Sequence, residues 1–159
     1  MRRKIIVTGL MGLAAILVLS QPAAAIDGWG PRVGMTVNPD QVHFGAQLDA
    51  GYITNHLRFQ PNFTVGVGND ATVWSVDFDA AYLFASVGNG WAPYVGGGPA
   101  INVVDHSNRA NDSNFDSGLN LLGGVEHRLS GGTRFFTELK LGLLDSPDMR
   151  WTVGWTFTR

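Results

Sequence analysis

The chain contains no cysteine, which excludes a disulfide framework, a thiolate metal site and a cysteine nucleophile. Charged residues make up only 15%, and 11 Lys and Arg face 13 Asp and Glu, so no basic excess points to nucleic acid as a partner. Beyond residue 25, no apolar run approaches the roughly 20 residues of a membrane-spanning helix. If the mature chain is an integral membrane protein, it must be a β-barrel, because only helices and closed barrels satisfy their backbone hydrogen bonds in lipid.

The start of the chain has the three parts of an export signal. Residues 2–4 are basic, residues 5–19 are apolar, and residues 23–25 are three alanines that suit a cleavage site. The apolar part holds 15 residues, too few for a transmembrane helix. We therefore expect a signal peptide at 1–25 and a single mature domain at 26–159. Removal of residues 1–25, which include three basic and no acidic residues, leaves 134 residues with a formal charge of -5.

The segment from Thr72 to Phe84 alternates between apolar and mainly polar residues. Its even positions are Trp, Val, Phe, Ala, Tyr and Phe, whereas its odd positions include Asp77 and Asp79. A period of two is typical of a β-strand with unlike faces, and the segment is long enough to cross a bilayer when tilted, which takes roughly 9 to 11 residues. Seven further segments alternate in the same way, and turns such as Asn38-Pro39-Asp40 separate them. The sequence predicts an all-β fold: an eight-stranded antiparallel up-and-down transmembrane β-barrel with a narrow polar lumen.

The distribution of glycines and aromatic residues indicates which face points inward. Twelve of the fourteen glycines in predicted strands lie on the polar face, where a narrow eight-stranded lumen has little room for side chains. Aromatic residues lie on the apolar face, many near strand ends, where membrane proteins carry aromatic girdles. This favours a membrane barrel over the alternative of a soluble periplasmic ligand-binding barrel, whose apolar face would line a cavity. The predicted lipid-facing aromatics are Trp29, Phe44, Tyr52, Trp74, Phe78, Tyr82, Trp91, Trp151, Trp155 and Phe157.

The polar face carries charged residues that must be paired or solvated once buried. We expect an ion-pair network that plugs the lumen, because eight strands enclose just enough space for side chains; an ion pathway is the alternative. If the Asn69 turn sets the register, Arg58 lies opposite or diagonal to Asp79, with Gln60 and Asn62 near Asp77. The predicted network consists of Arg32, Asp49, Arg58, Asp77, Asp79, Glu126, Arg128, Arg134, Glu138, Lys140 and Arg150.

An even number of strands places both chain ends at one rim of the barrel, so the last strand can pair with the first. If that rim faces the periplasm, the longest predicted connection, residues 104–115, falls outside the cell.

The predicted export signal, the eight amphipathic strands and the aromatic-rich last strand, with Trp151, Val153, Trp155 and Phe157, resemble the small outer-membrane β-barrels of the outer-membrane protein A and X type, the porin family. The resemblance covers residues 26–159 and rests on this pattern. It implies a location in the bacterial outer membrane, insertion by the barrel-assembly machinery, contact with outer-membrane lipid and lipopolysaccharide, and a monomer. This family usually ends on an aromatic residue, whereas this sequence ends Phe157-Thr158-Arg159. Its members include structural barrels, adhesins and lipid-modifying enzymes, so the resemblance leaves the role open.

Candidate catalytic and metal-binding residues carry no specific signal. His127 is the lone histidine on the apolar face, and the residue two positions further on is Leu129, not the serine that a lipid hydrolase would place there. His106-Ser107 lies in a polar loop, where such a combination is common. His43 and His56 are predicted to face the lumen near opposite ends, which disfavours a shared metal.

Four carboxylates at the outer rim, Asp112, Asp116, Asp145 and Asp148, fit solvated loop residues better than a divalent-cation site. We therefore expect no enzyme and no cofactor, and a structural or surface-interaction role. The alternative function is that of an outer-membrane lipid-modifying enzyme.

Overall fold

The structure, a computed structural model, describes residues 26–68, 71–106 and 113–158. The predicted signal peptide at 1–25 lies outside these residues. The described strands are β1 (Gly28–Val37), β2 (Gln41–Asp49), β3 (Tyr52–Thr54), β4 (Leu57–Val67), β5 (Ala71–Leu83), β6 (Trp91–His106), β7 (Ser113–Arg128), β8 (Thr133–Leu144) and β9 (Met149–Thr158). In the described ranges, no helix has the length and apolar character needed to cross a membrane.

The strands close into a barrel in which all neighbours are antiparallel. β1 pairs with β2 on one side and with β9 on the other, where Gly28 lies opposite Thr158. β2 pairs with β4, and from β4 to β9 each strand pairs with the next in the chain. The short β3 continues the position of β2 beside β4. The prediction of a closed eight-stranded antiparallel barrel is therefore confirmed. We call the rim with Gly28 and Thr158 the terminal rim and the opposite one the far rim.

The second predicted strand is interrupted, whereas the alternation had suggested a continuous strand up to Tyr52. Gly51 has a φ of 85°, and its backbone N–H donates a hydrogen bond of 3.1 Å to Asp49 Oδ1. Glycine adopts this left-handed backbone readily. The break therefore divides the strand into β2 and β3.

The described residues of the longest predicted loop, 104–106 and 113–115, all lie in strands. β6 continues to His106 and β7 begins at Ser113, with Val103 opposite Phe115 and Asp105 opposite Ser113. Polar side chains at these positions do not prevent the backbone ladder from continuing, so composition alone overestimated the loop. Residues 107–112 lie outside the described chain.

Burial alternates along the strands with apolar residues outside and polar residues inside. On β1, Trp29, Val33 and Met35 are exposed, whereas Arg32 and Thr36 are buried. In the described strands of the barrel wall, the one charged residue at an outward position is Asp105, at the far-rim end of β6. The structure thus has the face assignment that the glycines and aromatic residues predict, and not the inverse arrangement of a soluble ligand-binding barrel.

Candidate functional site

Among the residues that the structure describes, ten charged side chains are buried inside the barrel, five basic and five acidic. Their contacts divide them into two groups with no ion pair between them among the described residues. The rim cluster consists of Asp49, Arg58, Glu126 and Arg134. The central cluster consists of Arg32, Asp77, Asp79, Glu138, Lys140 and Arg150. Each cluster contains equal numbers of basic and acidic groups, so each is formally neutral.

The rim cluster lies near the terminal rim. Arg58 donates two hydrogen bonds to Glu126, of 3.2 and 2.6 Å, and its Nε lies 3.9 Å from Asp49 Oδ2. Arg134 donates to Asp49, and its Nη1 lies 3.8 Å from Glu126. Each arginine therefore contacts both carboxylates, which compensates their charge where water is largely excluded.

Lys140 is the centre of the central cluster. Its Nζ lies 2.8 Å from Asp77 Oδ2, contacts Asp79, and is 3.9 Å from Glu138. Arg150 reaches Asp77 at 3.1 Å. Asp77 and Lys140 are 0% and 1% exposed, so neither charge would be tolerated without its partners.

Neutral side chains complete the contacts of the central carboxylates. Asn120 donates to Asp77 at 3.1 Å, and Asn62 donates to Asp79 at 2.8 Å. Glu138 accepts hydrogen bonds from Arg32 at 2.9 Å and from the hydroxyl of Tyr94 at 3.2 Å. These four hydrogen bonds join side chains from six strands, β1 and β4 to β8.

An apolar group that the sequence analysis did not recognise lies inside the lumen on three adjacent strands, β5, β6 and β7. Ala81, Leu83, Tyr94 and Leu122 form a buried contact group, which we call the lumen belt. On β5, Ala81 and Leu83 lie on the terminal-rim side of Asp79, and on β7, Leu122 lies on the far-rim side of Glu126. A sequence signal existed, because Leu83 and Leu122 are apolar residues at positions of the inward, mainly polar face.

Hydrogen-bonded neutral side chains fill the lumen towards the far rim. The two ring nitrogens of His43 lie 2.9 Å from Thr36 Oγ1 and 3.0 Å from Thr152 Oγ1. Ser75 donates to Asn102 at 2.7 Å. The lumen therefore contains interlocking side chains along its described length, and no group of three metal-ligating residues occurs in the described ranges.

The structure corrects two sequence-based placements, those of Arg128 and His56, and confirms the register of Arg58. Arg128 is exposed at the last position of β7, opposite Arg134, and lines the barrel mouth without an ion pair to either cluster among the described residues. His56 is an exposed turn residue stacked on Tyr82 at 5.7 Å, and does not face the lumen. Arg58 lies opposite Ala81, diagonal to Asp79 as expected, but binds Glu126 instead.

Nine of the ten predicted lipid-facing aromatics lie on the outside of the barrel. The prediction is wrong for Tyr52, which follows the break at Gly51, lies opposite the inward Arg58 and lines the barrel mouth with Asp49 and Arg134. Phe78 is partly buried and the other nine are exposed. Near the terminal rim they contact one another in a girdle: Trp29 packs on Phe157 at 5.8 Å, and Phe135 lies between Trp91 and Trp155 at 6.5 and 5.5 Å. Such a belt is typical of the level where lipid headgroups meet the acyl chains.

The fold is similar to solved outer-membrane barrels. The N-terminal β-barrel domain of OprF from Pseudomonas aeruginosa gives a TM-score of 0.65 at 14% identity, over 84% of this chain and 98% of that domain. Neisserial surface protein A gives 0.58 at 17% identity, over 83% and 94%. The outer-membrane protein Ail of Yersinia pestis, in a nanodisc, gives 0.52 at 11% identity, over 84% and 99%.

The chain thus has the fold of the eight-stranded outer-membrane β-barrels. No protein-family model and no curated protein sequence matches it. At these identities the likeness concerns the fold.

Proposed function

We propose that this chain is an integral outer-membrane protein with a structural or surface-interaction role and a lumen closed to ions. One observation carries the proposal: the outside of the barrel is apolar between its rims, whereas ten charges are buried inside and paired. Lipid is the environment in which such an exterior is stable, because exposed apolar surface of this extent drives association in water.

The closed lumen follows from the two clusters together with the lumen belt. Lys140, Arg58 and Arg134 span the interior to reach carboxylates on other strands. An ion crossing the lumen would have to displace these pairs and move along the apolar side chains of the belt, which cannot replace its hydration shell.

The proposal includes export by the predicted signal peptide at 1–25, insertion by the barrel-assembly machinery, and a monomer in contact with outer-membrane lipid and lipopolysaccharide. It includes no enzymatic activity. Of the three histidines whose side chains the structure describes, His43 bonds to two threonines, His127 to the backbone carbonyl of Asn89, and His56 stacks on Tyr82. No observation favours the lipid-modifying enzyme.

Fractionation of expressing cells tests this function. We expect the mature protein in the outer-membrane fraction and, after folding in detergent, faster gel migration when unheated than when boiled. Recovery of a soluble, monomeric periplasmic protein with no change of migration on heating would contradict the proposal. A planar-bilayer recording tests the lumen separately: wild-type protein should show no discrete conductance.

A further inference from the structure

The lumen opens at the terminal rim into a cavity of about 590 Å³, which we call the mouth pocket. Asp49 and Arg134 line this pocket and bind each other. They are only 2% and 6% exposed, so they form its floor. Both belong to the rim cluster, which is formally neutral. Any preference of the mouth pocket for a charged ligand must therefore come from the residues of its walls.

Two exposed residues of opposite charge line the walls of the mouth pocket. Asp27 directly precedes β1, and Arg128 is the last residue of β7. Among the described residues, neither takes part in an ion pair. In the barrel wall, β9 and β8 lie between β1 and β7. The mouth pocket therefore has an acidic wall and, on a separate side, a basic wall.

The acidic wall consists of Asp27 and the residues beside it. The backbone N–H of Asp27 donates a hydrogen bond of 2.8 Å to the carbonyl oxygen of Asp49, which holds Asp27 beside the end of β2. A Cβ at Gly51 would lie 3.3 Å from Asp27 Oδ2, so the carboxylate lies next to Gly51. Tyr52 follows Gly51 and also lines the pocket. A carboxylate near an aromatic ring attracts an ammonium group, because both the charge and the face of the ring favour a cation.

The basic wall consists of Arg128 on β7 and Arg134 directly opposite it on β8. Residues in such a position have Cβ atoms about 4.5–5.5 Å apart, and like charges there repel each other. Asp49 compensates the charge of Arg134, whereas Arg128 has no such partner among the described residues. A carboxylate bound to Arg128 would form a bidentate pair with its guanidinium and reduce the repulsion between the two arginines.

We infer that the mouth pocket binds a short zwitterionic peptide, with its amino terminus at Asp27 and its carboxyl terminus at Arg128. A sphere of the volume of the pocket is about 10 Å across, the length of roughly three extended residues. Ile26 and Leu129 also line the pocket and are 49% and 44% exposed, so they offer apolar contacts to the part of the peptide between its two termini. This site goes beyond the proposed function and does not require an open lumen.

NMR titration of the folded mature protein in detergent micelles tests this site, with trialanine as the probe. We expect saturable shifts of the amide signals of Leu129 and Gly132, which line the pocket. N-acetyl-trialanine and trialanine amide each lack one terminal charge and should bind about fivefold more weakly, the effect of one partly exposed ion pair. Asp27→Asn should weaken the binding of trialanine about fivefold and leave that of N-acetyl-trialanine unchanged. Arg128→Gln should weaken the binding of trialanine equally and leave that of trialanine amide unchanged.

Asp40→Asn is the matched control, since it makes the same change as Asp27→Asn at an exposed residue of the far rim and should leave all three dissociation constants unchanged. Equal dissociation constants for the three peptides would overturn the proposal, and so would the lack of saturable shifts with wild-type protein. If sodium acetate shifts the same signals as strongly as trialanine, the mouth pocket is an anion site only and the zwitterionic ligand is refuted. Heat-dependent gel migration of every variant separates this test from that of the membrane location, because a folded barrel that binds no peptide refutes only the site.

Discussion

Arg58 on β4 donates hydrogen bonds to both carboxylate oxygens of Glu126 on β7, at 3.2 and 2.6 Å. Two strands, β5 and β6, lie between them in the barrel wall, so the pair connects parts of the wall that share no backbone hydrogen bonds. A bidentate arginine–carboxylate pair fixes geometry as well as charge. The pair therefore connects β4 to β7 across the terminal end of the lumen.

Arg58→Met should destabilise the barrel strongly. Both carboxylates of the rim cluster would lose Arg58 and keep only Arg134 as a basic partner. For Glu126, that remaining contact is 3.8 Å long. Removing one partner of a buried pair costs about 3–5 kcal/mol. Urea unfolding in lipid vesicles measures the loss in free energy of unfolding. Arg128→Met removes an exposed arginine from the same end of the barrel and should change the free energy of unfolding by less than about 0.5 kcal/mol. Equal losses in the two variants would show that the buried pair contributes no more to stability than an exposed arginine.

The strands and their faces could be predicted because one physical rule governs nearly every position. In a barrel that separates lipid from a polar interior, apolar and polar residues must alternate along each strand. The faces of Trp74, Val76 and Asp77 can therefore be predicted from the sequence. The alternation ceases to be informative where a strand leaves the wall. His56 lies in the turn before β4, where its prediction as a lumen residue is wrong, and Arg128 ends β7 at the barrel mouth, where it is exposed instead of buried in the network.

The partners inside the lumen could not be predicted from the sequence. Register relates adjacent strands, and the predicted position of Gln60 and Asn62 near Asp77 is confirmed, with Asn62 opposite Asp77 and Gln60 opposite Asp79. Pairs that cross the lumen, such as Arg58 with Glu126, depend on the barrel's diameter and tilt, which residue types do not reveal. The sequence does not predict the lumen belt, because each apolar residue on the polar face is an isolated exception to the pattern. Only the structure shows that these residues contact one another.

The outward face of β5 should reject charge according to depth. Val76 lies mid-strand between Phe63 and Ile101, whereas Thr72 lies on the same face near the far rim, opposite Val67 and Asp105. A lysine at the bilayer midplane of a barrel costs about 2–4 kcal/mol and near the interface about 0–1 kcal/mol.

Val76→Lys should therefore lower the free energy of unfolding in vesicles far more than Thr72→Lys, measured by urea titration of the folded protein. The same experiment in detergent micelles, whose thickness adapts more readily, should reduce the difference. If both lysines cost the same in vesicles, the wall of β5 would not lie across a bilayer at the depth assigned here.

Two consecutive glycines of β7 should differ in their tolerance of alanine. A Cβ at Gly124 would lie 2.5 Å from Tyr94 Cζ and 2.5 Å from the backbone oxygen of Thr137, whereas a Cβ at Gly123 would meet nothing within 4 Å. Gly124→Ala must displace the ring of Tyr94 and disturb its hydrogen bond to Glu138. Overpacking of this kind costs about 1–3 kcal/mol.

Gly123→Ala supplies the matched control, since it adds the same methyl group on the outward face one residue away. Its effect on unfolding should be within about 0.5 kcal/mol of wild type, and alanine's lower backbone entropy in the unfolded chain could even stabilise it. Equal destabilisation by both variants would mean that loss of glycine flexibility, and not contact with Tyr94, sets the cost.

The lumen belt should be what keeps the interior dry between the two charge clusters. Leu122 is 6% exposed and belongs to the lumen belt, while its neighbour Leu121 points outward and is 53% exposed. Apolar constrictions block ions because water leaves them readily. A hydroxyl in place of Leu122 offers water a hydrogen-bond partner between Glu126 and Asp79, two carboxylates that already bind cationic groups.

Leu122→Ser should consequently give discrete ion conductance in planar bilayers, whereas wild-type protein and Leu121→Ser should not. Heat-dependent gel migration must first show that both variants fold, so that current is not attributed to a collapsed barrel. Conductance in Leu121→Ser as well would indicate general disorder. If Leu122→Ser folds and stays silent while Arg58→Met conducts, the rim cluster alone closes the lumen, and the belt serves packing rather than exclusion of water.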